Sequence, residues 1–463
     1  MGKDRTGAAH DARKAGAEVR GPFHPSWALI GFFALLVAAG TLLLYLPAYF
    51  PNHLLNPVAG QDRVSFLDAL FTATSAATGT GLVVQDTASY WNSYGHRVIF
   101  GLFQIGGLGS LVGSTIFLLL IIRRVSKEER SLFRSFMGVE SGRGLLFLVL
   151  GITVYALIIE AAGTYLLARQ LSASMLWDEA LWKALFHAAS AFNNAGFEFM
   201  GMGSQQPATQ TLLILGGLSF LGGISFIVVV DLARGLFRHP LSLDTKLVLL
   251  ISVLLVAGGA GLILLTEWNS AQSLGAMSVD QKVLSAFFHS VSTRTAGLAS
   301  VDISAFAQST ILLLAALMFI GGSSGSTAGG LKVNTLAILA AVTWSFVRGK
   351  REVTALGSIV HEEQVYRAMA IAFLSLAMVF VVTLLLGVIE GPGLLPQMFE
   401  AISAFSTTGL SLNTTPTLSP AGKLLIILTM FVGRVGPLTL AFALASRRRP
   451  TRQVYAEEAI NLG

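Results

Sequence analysis

Long apolar runs dominate the chain, and short polar, positively charged stretches separate them. Residues 27–46, 214–230 and 370–388 are three such runs. A run of about 20 apolar residues matches the thickness of the hydrocarbon core of a bilayer. The pattern therefore predicts an all-α integral membrane protein whose long runs form membrane-spanning helices.

Composition supports the membrane class and narrows the chemistry. Of 463 residues, 53% are hydrophobic and 12% are charged, whereas soluble domains carry about 25% charged residues. The chain has no cysteine, which excludes disulfides, thiolate metal sites and a cysteine nucleophile. An integral membrane enzyme is the less favoured alternative, because the apolar runs hold no HExxH motif, nucleophile elbow or paired carboxylates.

The basic residues cluster after every second long apolar segment, so the clusters lie on one side of the membrane. Cytoplasmic loops are enriched in Lys and Arg, so we take this side as the cytoplasm rather than relate the net charge of +6 to nucleic acid. We expect a polar cytoplasmic N-terminal tail at 1–25 and a cytoplasmic C-terminal tail at 447–463. The clusters lie at 3–20, 123–143, 234–246, 348–367 and 447–452.

Division of the chain at these clusters leaves four similar units. Each contains a long apolar helix, a shorter mixed segment, a small-residue stretch that ends in glycine, and a second apolar helix. Since both ends of a unit are cytoplasmic, the middle part must enter and leave from outside. We predict eight transmembrane helices plus four re-entrant pore helices, arranged pseudo-fourfold around a central pore. The first to fourth units span 26–122, 144–236, 245–348 and 365–446.

The middle segments align through three columns of identical residues. Glycine follows the serine column by six residues in three copies and by five in the third. Such repetition is hard to explain in a structural scaffold, although small residues also serve helix packing in membranes. The columns are Phe71, Phe186, Phe288 and Phe399; Ser75, Ser190, Ser292 and Ser403; and Gly81, Gly196, Gly297 and Gly409.

The glycine stretches have the composition of a cation selectivity filter. Glycine adopts φ > 0 and lets the backbone approach a ligand, and rings of carbonyl oxygens can replace the hydration shell of a cation. We therefore expect K+ at the backbone carbonyls of Gly81, Gly196, Gly297 and Gly409. The predicted filter comprises four limbs: Thr78, Gly79, Thr80 and Gly81; Asn194, Ala195 and Gly196; Thr295, Ala296 and Gly297; Thr407, Thr408 and Gly409.

A second glycine-rich segment interrupts the closing helix of the third unit and is a candidate gate. Glycine costs about 1 kcal/mol per helical position relative to alanine, so we expect a loop at membrane depth, with a simple kink as the alternative. Arg434, inside the last apolar run, is either a barrier beside the pore or a partner of Glu160 or Asp231. The predicted gate contains Gly321, Gly322, Ser323, Ser324, Gly325, Ser326, Thr327, Ala328, Gly329, Gly330, Lys332 and Arg434.

Three further polar residues lie beside the filter motifs. Arg294 is expected to brace the third limb by bonding backbone carbonyls, with Glu198 as a candidate partner. His187 and His289 follow the shared phenylalanine, and we interpret them as packing residues rather than metal ligands.

These motifs together resemble the Trk/Ktr/HKT superfamily of cation transporters, over nearly the whole chain from residue 26. The resemblance rests on residues 193–197, 293–297, 321–330 and 433–437, and the short N-terminal tail makes the chain most similar to the membrane subunits of bacterial Ktr systems. It implies a multi-pass protein of the bacterial inner membrane that transports K+, with Na+ as an activating or coupling ion. Sodium-preferring members often carry serine at the position of Gly81, so glycine favours potassium, and a sodium or mixed-cation transporter is the alternative.

The same resemblance implies partners. Such subunits form homodimers in membrane lipid, with one pore per subunit. They work with a separate cytosolic, KtrA-like ring of RCK domains, and a nucleotide (ATP, ADP or NAD) is expected only on that ring. No covalent cofactor and no nucleic-acid partner is implied.

Overall fold

The computed structural model describes residues 25–46, 64–122, 142–200, 208–236, 239–350 and 352–436. The C-terminal tail predicted at 447–463, all of the N-terminal tail except Pro25, and most of the basic stretch 123–143 lie outside the described residues.

Each unit begins with a long helix that is apolar on all sides. Within the described residues these four helices are long and apolar enough to cross a membrane, and only 22–28% of each apolar window is buried. Their exposed faces carry large apolar side chains such as Leu35 and Phe373, as expected for surfaces in contact with lipid. The helices are α1 (Pro25–Tyr45), α5 (Gly142–Leu171), α9 (Leu243–Glu267) and α13 (Glu362–Glu390).

A short inner helix follows each long one. These helices have 13 to 16 residues and span only about 20–24 Å at 1.5 Å per residue, less than a bilayer core of about 30 Å. The phenylalanine column is fully buried in all four. The short inner helices are α2 (Phe66–Thr78), α6 (Trp177–Phe192), α10 (Val279–Ser292) and α14 (Leu394–Ser406).

The closing segments differ between units, and the prediction of one continuous closing helix in the second unit is wrong. The third unit closes with one helix before the predicted loop and one after it. The closing segment of the second unit also bends, by 96°. The described part of the chain holds four long spans, or five if the bent pair counts as one. The closing helices are α4 (Ser93–Ile122); α7 (Thr209–Gly222) and α8 (Phe226–Gly235); α11 (Gln308–Phe319) and α12 (Val333–Val347); and α15 (Pro420–Val435).

Serine side chains determine where several helices begin. A serine before the first turn accepts a hydrogen bond from an otherwise unpaired N–H group. Ser225 does this for α8, which lets the chain restart as a helix directly after Gly222 and Gly223. Ser242, Ser278 and Ser419 cap α9, α10 and α15 in the same way.

A small hairpin joins the third and fourth units. Its strands, β1 (Thr354–Ala355) and β2 (Ser358–Ile359), are antiparallel and pair Thr354 with Ile359. The turn residues Leu356 and Gly357 both have positive φ, as a two-residue hairpin turn requires. The remaining element is the single-turn helix α3 (Thr87–Tyr90); 3-10 turns lie at Ile303–Ala305 and Thr415–Thr417.

Candidate functional site

The four limbs meet in a closed ring. Each terminal glycine approaches the backbone of a neighbouring limb so closely that a Cβ atom could not be accommodated without movement. Limbs one, two, three and four therefore surround a common centre. A Cβ on Gly81 would lie 2.6 Å from the Ala195 oxygen, on Gly196 3.3 Å from the Ala296 oxygen, on Gly297 1.9 Å from the Thr408 oxygen, and on Gly409 2.2 Å from the Thr80 oxygen.

Backbone conformation repeats from limb to limb even where the sequence does not. The terminal glycine and the residue two positions before it have positive φ in every copy, although three of the four earlier positions are not glycine. The three limb residues with positive φ that are not glycine are held in a strained conformation, which costs about 1–3 kcal/mol each. Since the third limb keeps the same spacing, its missing residue lies between Ser292 and Thr295. The positive-φ pairs are Gly79 and Gly81, Asn194 and Gly196, Thr295 and Gly297, and Thr407 and Gly409.

The segment 321–330 is mostly buried and packs against the limbs of this ring, and Thr327 makes several of the contacts. The Thr327 hydroxyl lies 2.8 Å from the Gly222 carbonyl oxygen and 3.0 Å from that of Phe192. It also accepts a hydrogen bond from the side-chain amide of Asn194, at 2.8 Å. One side chain therefore connects the loop, the second limb and the bend between α7 and α8.

Further contacts hold the loop between the second unit and the fourth limb. The backbone N–H of Ser323 donates to Gly223 at 3.0 Å, and that of Ser225 donates to the Ser323 hydroxyl at 2.6 Å. A Cβ on Gly329 would lie 2.1 Å from the Thr407 hydroxyl oxygen. These contacts join the predicted loop to the fourth limb as well as to the second unit.

The remaining loop residues complete a tight turn. Gly325 and Gly330 have positive φ, and the Ser326 hydroxyl donates to the Ser323 carbonyl at 2.7 Å. The Lys332 ammonium group donates to the carbonyls of Ala328 and Gly329. Three other residues of the predicted gate contact its surroundings. The N–H of Ser324 donates to the side-chain oxygen of Asn334, and the Gly321 carbonyl accepts from Arg294. Gly322 packs against the backbone of Gly223.

Arg434 contacts the loop rather than an acidic residue. Its Nη1 donates to the Thr327 carbonyl at 2.6 Å, and its Nη2 lies 3.4 Å from the Cβ position of Gly79. Among the described residues Glu160 and Asp231 have other partners, so the alternative of a salt bridge with either of them is not the one observed. The guanidinium also has two buried nitrogens, Nε and Nη2, without a hydrogen-bond partner in the described part of the chain. It therefore places positive charge beside the first limb.

Arg294 braces the third limb from behind through backbone carbonyls, as the sequence predicted. Its guanidinium donates to the carbonyls of Ser252 and Gly321, at 3.5 and 3.3 Å, and to the Ser252 hydroxyl. These bonds tie the third limb to α9 and to the start of the loop. The proposed partner Glu198 instead accepts a hydrogen bond from the N–H of Met200.

His187 makes the contacts of a packing residue. The N–H of Phe199 donates to its Nε2 at 3.1 Å, which leaves Nδ1 as the donor to the Lys183 carbonyl at 2.6 Å. His289 lies at the equivalent place, with Nδ1 at 2.8 Å from the Ser285 carbonyl. His187 thus joins its helix to Phe199 by a hydrogen bond, whereas His289 packs its ring against Phe306.

Sequence reasoning missed a polar cluster behind the second limb. Asn193 donates to the carboxylate of Glu160 at 2.8 Å and to the side-chain oxygen of Gln104 at 2.9 Å. Gln104 in turn donates to Glu160 at 2.7 Å. The signal in the sequence was a carboxylate and an amide in two apolar helices, and an ionisable residue inside a membrane segment is a candidate functional residue.

Replacement of Glu160 by leucine should destabilise the second limb. The Gln104 amide would lose its acceptor, and a buried donor without a partner costs about 1–3 kcal/mol. We expect a lower thermal unfolding temperature in detergent and weaker ion uptake, with Glu160→Gln intermediate because it keeps one carbonyl oxygen. Leu157→Ala, on the exposed face of the same helix, is the control. Wild-type stability and uptake in Glu160→Leu would show that the cluster does not support the limb.

Comparisons with known proteins agree on one family. The family model described as "TrkH: Cation transport protein" matches residues 50–449. The chain is 38% identical to the Ktr system potassium uptake protein B of Vibrio alginolyticus, covering 95% of each chain. It is 35% identical to the potassium/sodium uptake protein NtpJ of Enterococcus hirae, covering 94% of this chain and 96% of that one.

A solved structure has the same fold. The crystal structure of the potassium transporter TrkH from Vibrio parahaemolyticus matches with a TM-score of 0.72, covering 93% of this chain and 86% of that chain. At 19% sequence identity this match concerns the fold alone.

Proposed function

Because the chain belongs to the TrkH family of cation transport proteins, we propose that it takes up K+ across the bacterial cell membrane through a gated pore. The observation that carries the proposal is the closed ring of four limbs, which share one pattern of positive φ. A ring of this kind presents backbone carbonyl oxygens towards a common axis, and such rings can replace the water around a K+ ion.

The limbs named above form the proposed selectivity filter, with K+ at the carbonyls of the four terminal glycines. Each limb follows the C-terminal end of a short inner helix, which we propose acts as a pore helix. The C-terminal end of a helix carries a partial negative charge. Four such ends around the ring favour a cation and disfavour an anion. Glycine at all four terminal positions keeps the ring free of side chains.

Residues 321–330, with Lys332 and Arg434, form the proposed gate. The loop is mostly buried against the limbs, and Lys332 and Arg434 both donate to its carbonyls, which supports placing it below the ring. Positive charge below a cation filter opposes ion passage electrostatically. We propose that the loop obstructs the pore in this conformation and moves aside on activation.

We extend the proposal to partners and placement. The protein acts as a homodimer in the inner membrane, with both termini in the cytoplasm, and a cytosolic KtrA-like ring of RCK domains controls the gate through a bound nucleotide. Na+ is the candidate activating or coupling ion. Support comes from relatives whose names assign them to Ktr systems.

Mixed transport of Na+ and K+ is the second candidate. It is favoured by the similarity to NtpJ, whose name gives both ions. The two candidates differ in whether the filter rejects Na+.

Tracer uptake tests the proposal directly. Expressed in a bacterium that lacks its own K+ uptake systems, the protein should restore growth at low K+ and take up radioactive Rb+ in preference to Na+, with and without a co-expressed regulatory subunit. Cells with the empty vector are the control. Equal uptake of both ions would favour mixed transport, and no uptake by protein present in the membrane would refute the pore.

A further inference from the structure

The serine column forms hydrogen bonds that tie each limb to the short inner helix before it. The Ser75 hydroxyl accepts from the N–H of Gly81 at 3.0 Å, and the Ser403 hydroxyl accepts from that of Gly409 at 3.1 Å. In the other two units the direction reverses: the hydroxyls of Ser190 and Ser292 donate to the carbonyls of Phe197, at 2.7 Å, and Leu298. All four serines are buried.

In the first and fourth units, this bond fixes the direction of a carbonyl group in the ring. In a trans peptide, the C=O and N–H groups point in opposite directions. Because Ser75 holds the Gly81 N–H against the helix, the Thr80 carbonyl of the same peptide must point away from the helix. The Thr80 oxygen indeed lies 2.2 Å from the Cβ position of Gly409 on the adjoining limb.

The fourth unit repeats this geometry. Ser403 holds the Gly409 N–H, and the Thr408 oxygen lies 1.9 Å from the Cβ position of Gly297. Two serines thus orient the carbonyl that precedes the terminal glycine.

In the second and third units the serine acts two peptides further along the chain. Ser190 and Ser292 bond the carbonyl of the residue after the glycine, and so hold it back against the helix. The carbonyl of the residue after the glycine therefore points towards the short inner helix. The four glycines are therefore arranged alike, but the limbs are of two kinds: the serine bonds the glycine N–H in the first and fourth, and the carbonyl of the next residue in the second and third.

A general need to satisfy buried hydroxyls does not explain these bonds. Thr74, next to Ser75, donates to the Leu70 carbonyl of its own helix at 2.7 Å. Ser290, two residues before Ser292, donates to Val256 of α9 at 2.8 Å. The hydroxyls of Thr74 and Ser290 therefore have partners outside the limbs, whereas the serines of the column beside them bond the limbs.

We propose that Ser75, Ser190, Ser292 and Ser403 are positioning residues of the selectivity filter, which set the directions of its backbone carbonyls and thereby its preference for K+ over Na+. This inference rests on the proposed function. A smaller cation needs its oxygens to move inward, and a limb held by a hydrogen bond resists that movement.

Selectivity, rather than total uptake, distinguishes positioning from a merely structural role. Ser75→Ala and Ser403→Ala should each lower the ratio of Rb+ to Na+ uptake by about tenfold, equivalent to about 1.4 kcal/mol. Ser190→Ala and Ser292→Ala should have a smaller effect, because they bond the carbonyl of the residue after the glycine rather than the peptide before it. Ser75→Thr, which keeps the hydroxyl, should retain selectivity closer to that of the wild type.

Two matched controls accompany these variants. Thr74→Ala and Ser290→Ala each remove a buried hydroxyl from the same helices without removing a bond to a limb, so both should keep the wild-type ratio. The inference is overturned if Ser75→Ala has the same ratio as Thr74→Ala while wild-type protein discriminates between the ions. Failure of wild-type protein to take up Rb+ would instead refute the proposed function.

Discussion

Gly297→Ala is expected to reduce potassium uptake by about 100-fold or more while the protein remains in the membrane. Gly297 has φ +72°, where alanine is strained. Its Cβ would lie 1.9 Å from the Thr408 carbonyl oxygen and 3.1 Å from the Cα of Gly196. Since both neighbours are backbone of adjoining limbs, relief of the clash must deform the ring. Rb+ uptake, normalised to membrane abundance, measures the effect.

Gly261→Ala provides the matched control. Gly261 lies in α9, and a Cβ there would have no atom within 4 Å. Alanine is the better helix former by about 1 kcal/mol, so this variant should transport as well as the wild type. Equal uptake by Gly297→Ala and Gly261→Ala would show that the ring of limbs does not carry the ions.

Deletion of residues 323–327 should raise ion flux in the absence of the regulatory subunit by about tenfold. The deletion removes the hydrogen bonds of Ser323 and Thr327 to the second unit and the carbonyl that accepts from Arg434. The loop could then no longer stay anchored beneath the ring. Rb+ efflux from proteoliposomes, measured without the regulator, reports the change.

A point variant separates loop anchoring from loop length. Thr327→Val keeps the size of the side chain but loses the hydroxyl that joins Gly222, Phe192 and Asn194. It should raise the unregulated flux, although less than the deletion. Ser324→Ala is the control, because Ser324 is anchored through its backbone N–H. An inserted, folded deletion protein with unchanged flux would exclude gating by this loop.

Much of the architecture could be predicted because the sequence repeats. The three aligned columns locate the short inner helices, and the glycine that ends each copy coincides with a residue of positive φ. The interruption of the third closing helix was also predictable, since so many glycines and serines in succession cannot sustain a helix. Local composition was sufficient for both features.

Other features could not be predicted because they depend on distant contacts. Gly222 and Gly223 lie within an apolar run and look like packing residues, but a Cβ on Gly222 would lie 1.8 Å from the Phe192 oxygen. The close approach to α6, followed by the cap at Ser225, ends the helix there. Likewise the partner of Arg434 is a carbonyl, and a sequence pattern gives no sign of which carbonyl is near.

The Thr327 hydroxyl links the position of the loop to the second limb. Because it bonds Asn194 of the second limb as well as the bend between α7 and α8, the loop cannot leave without altering the environment of that limb. Coupling between two sites is reciprocal. If movement of the loop changes the free energy of ion binding to the ring, ion binding changes the free energy of loop movement by the same amount. In the proposed pore, the occupancy of the ring and the response to a cytosolic regulator would depend on one equilibrium, so external potassium is expected to act as an effector.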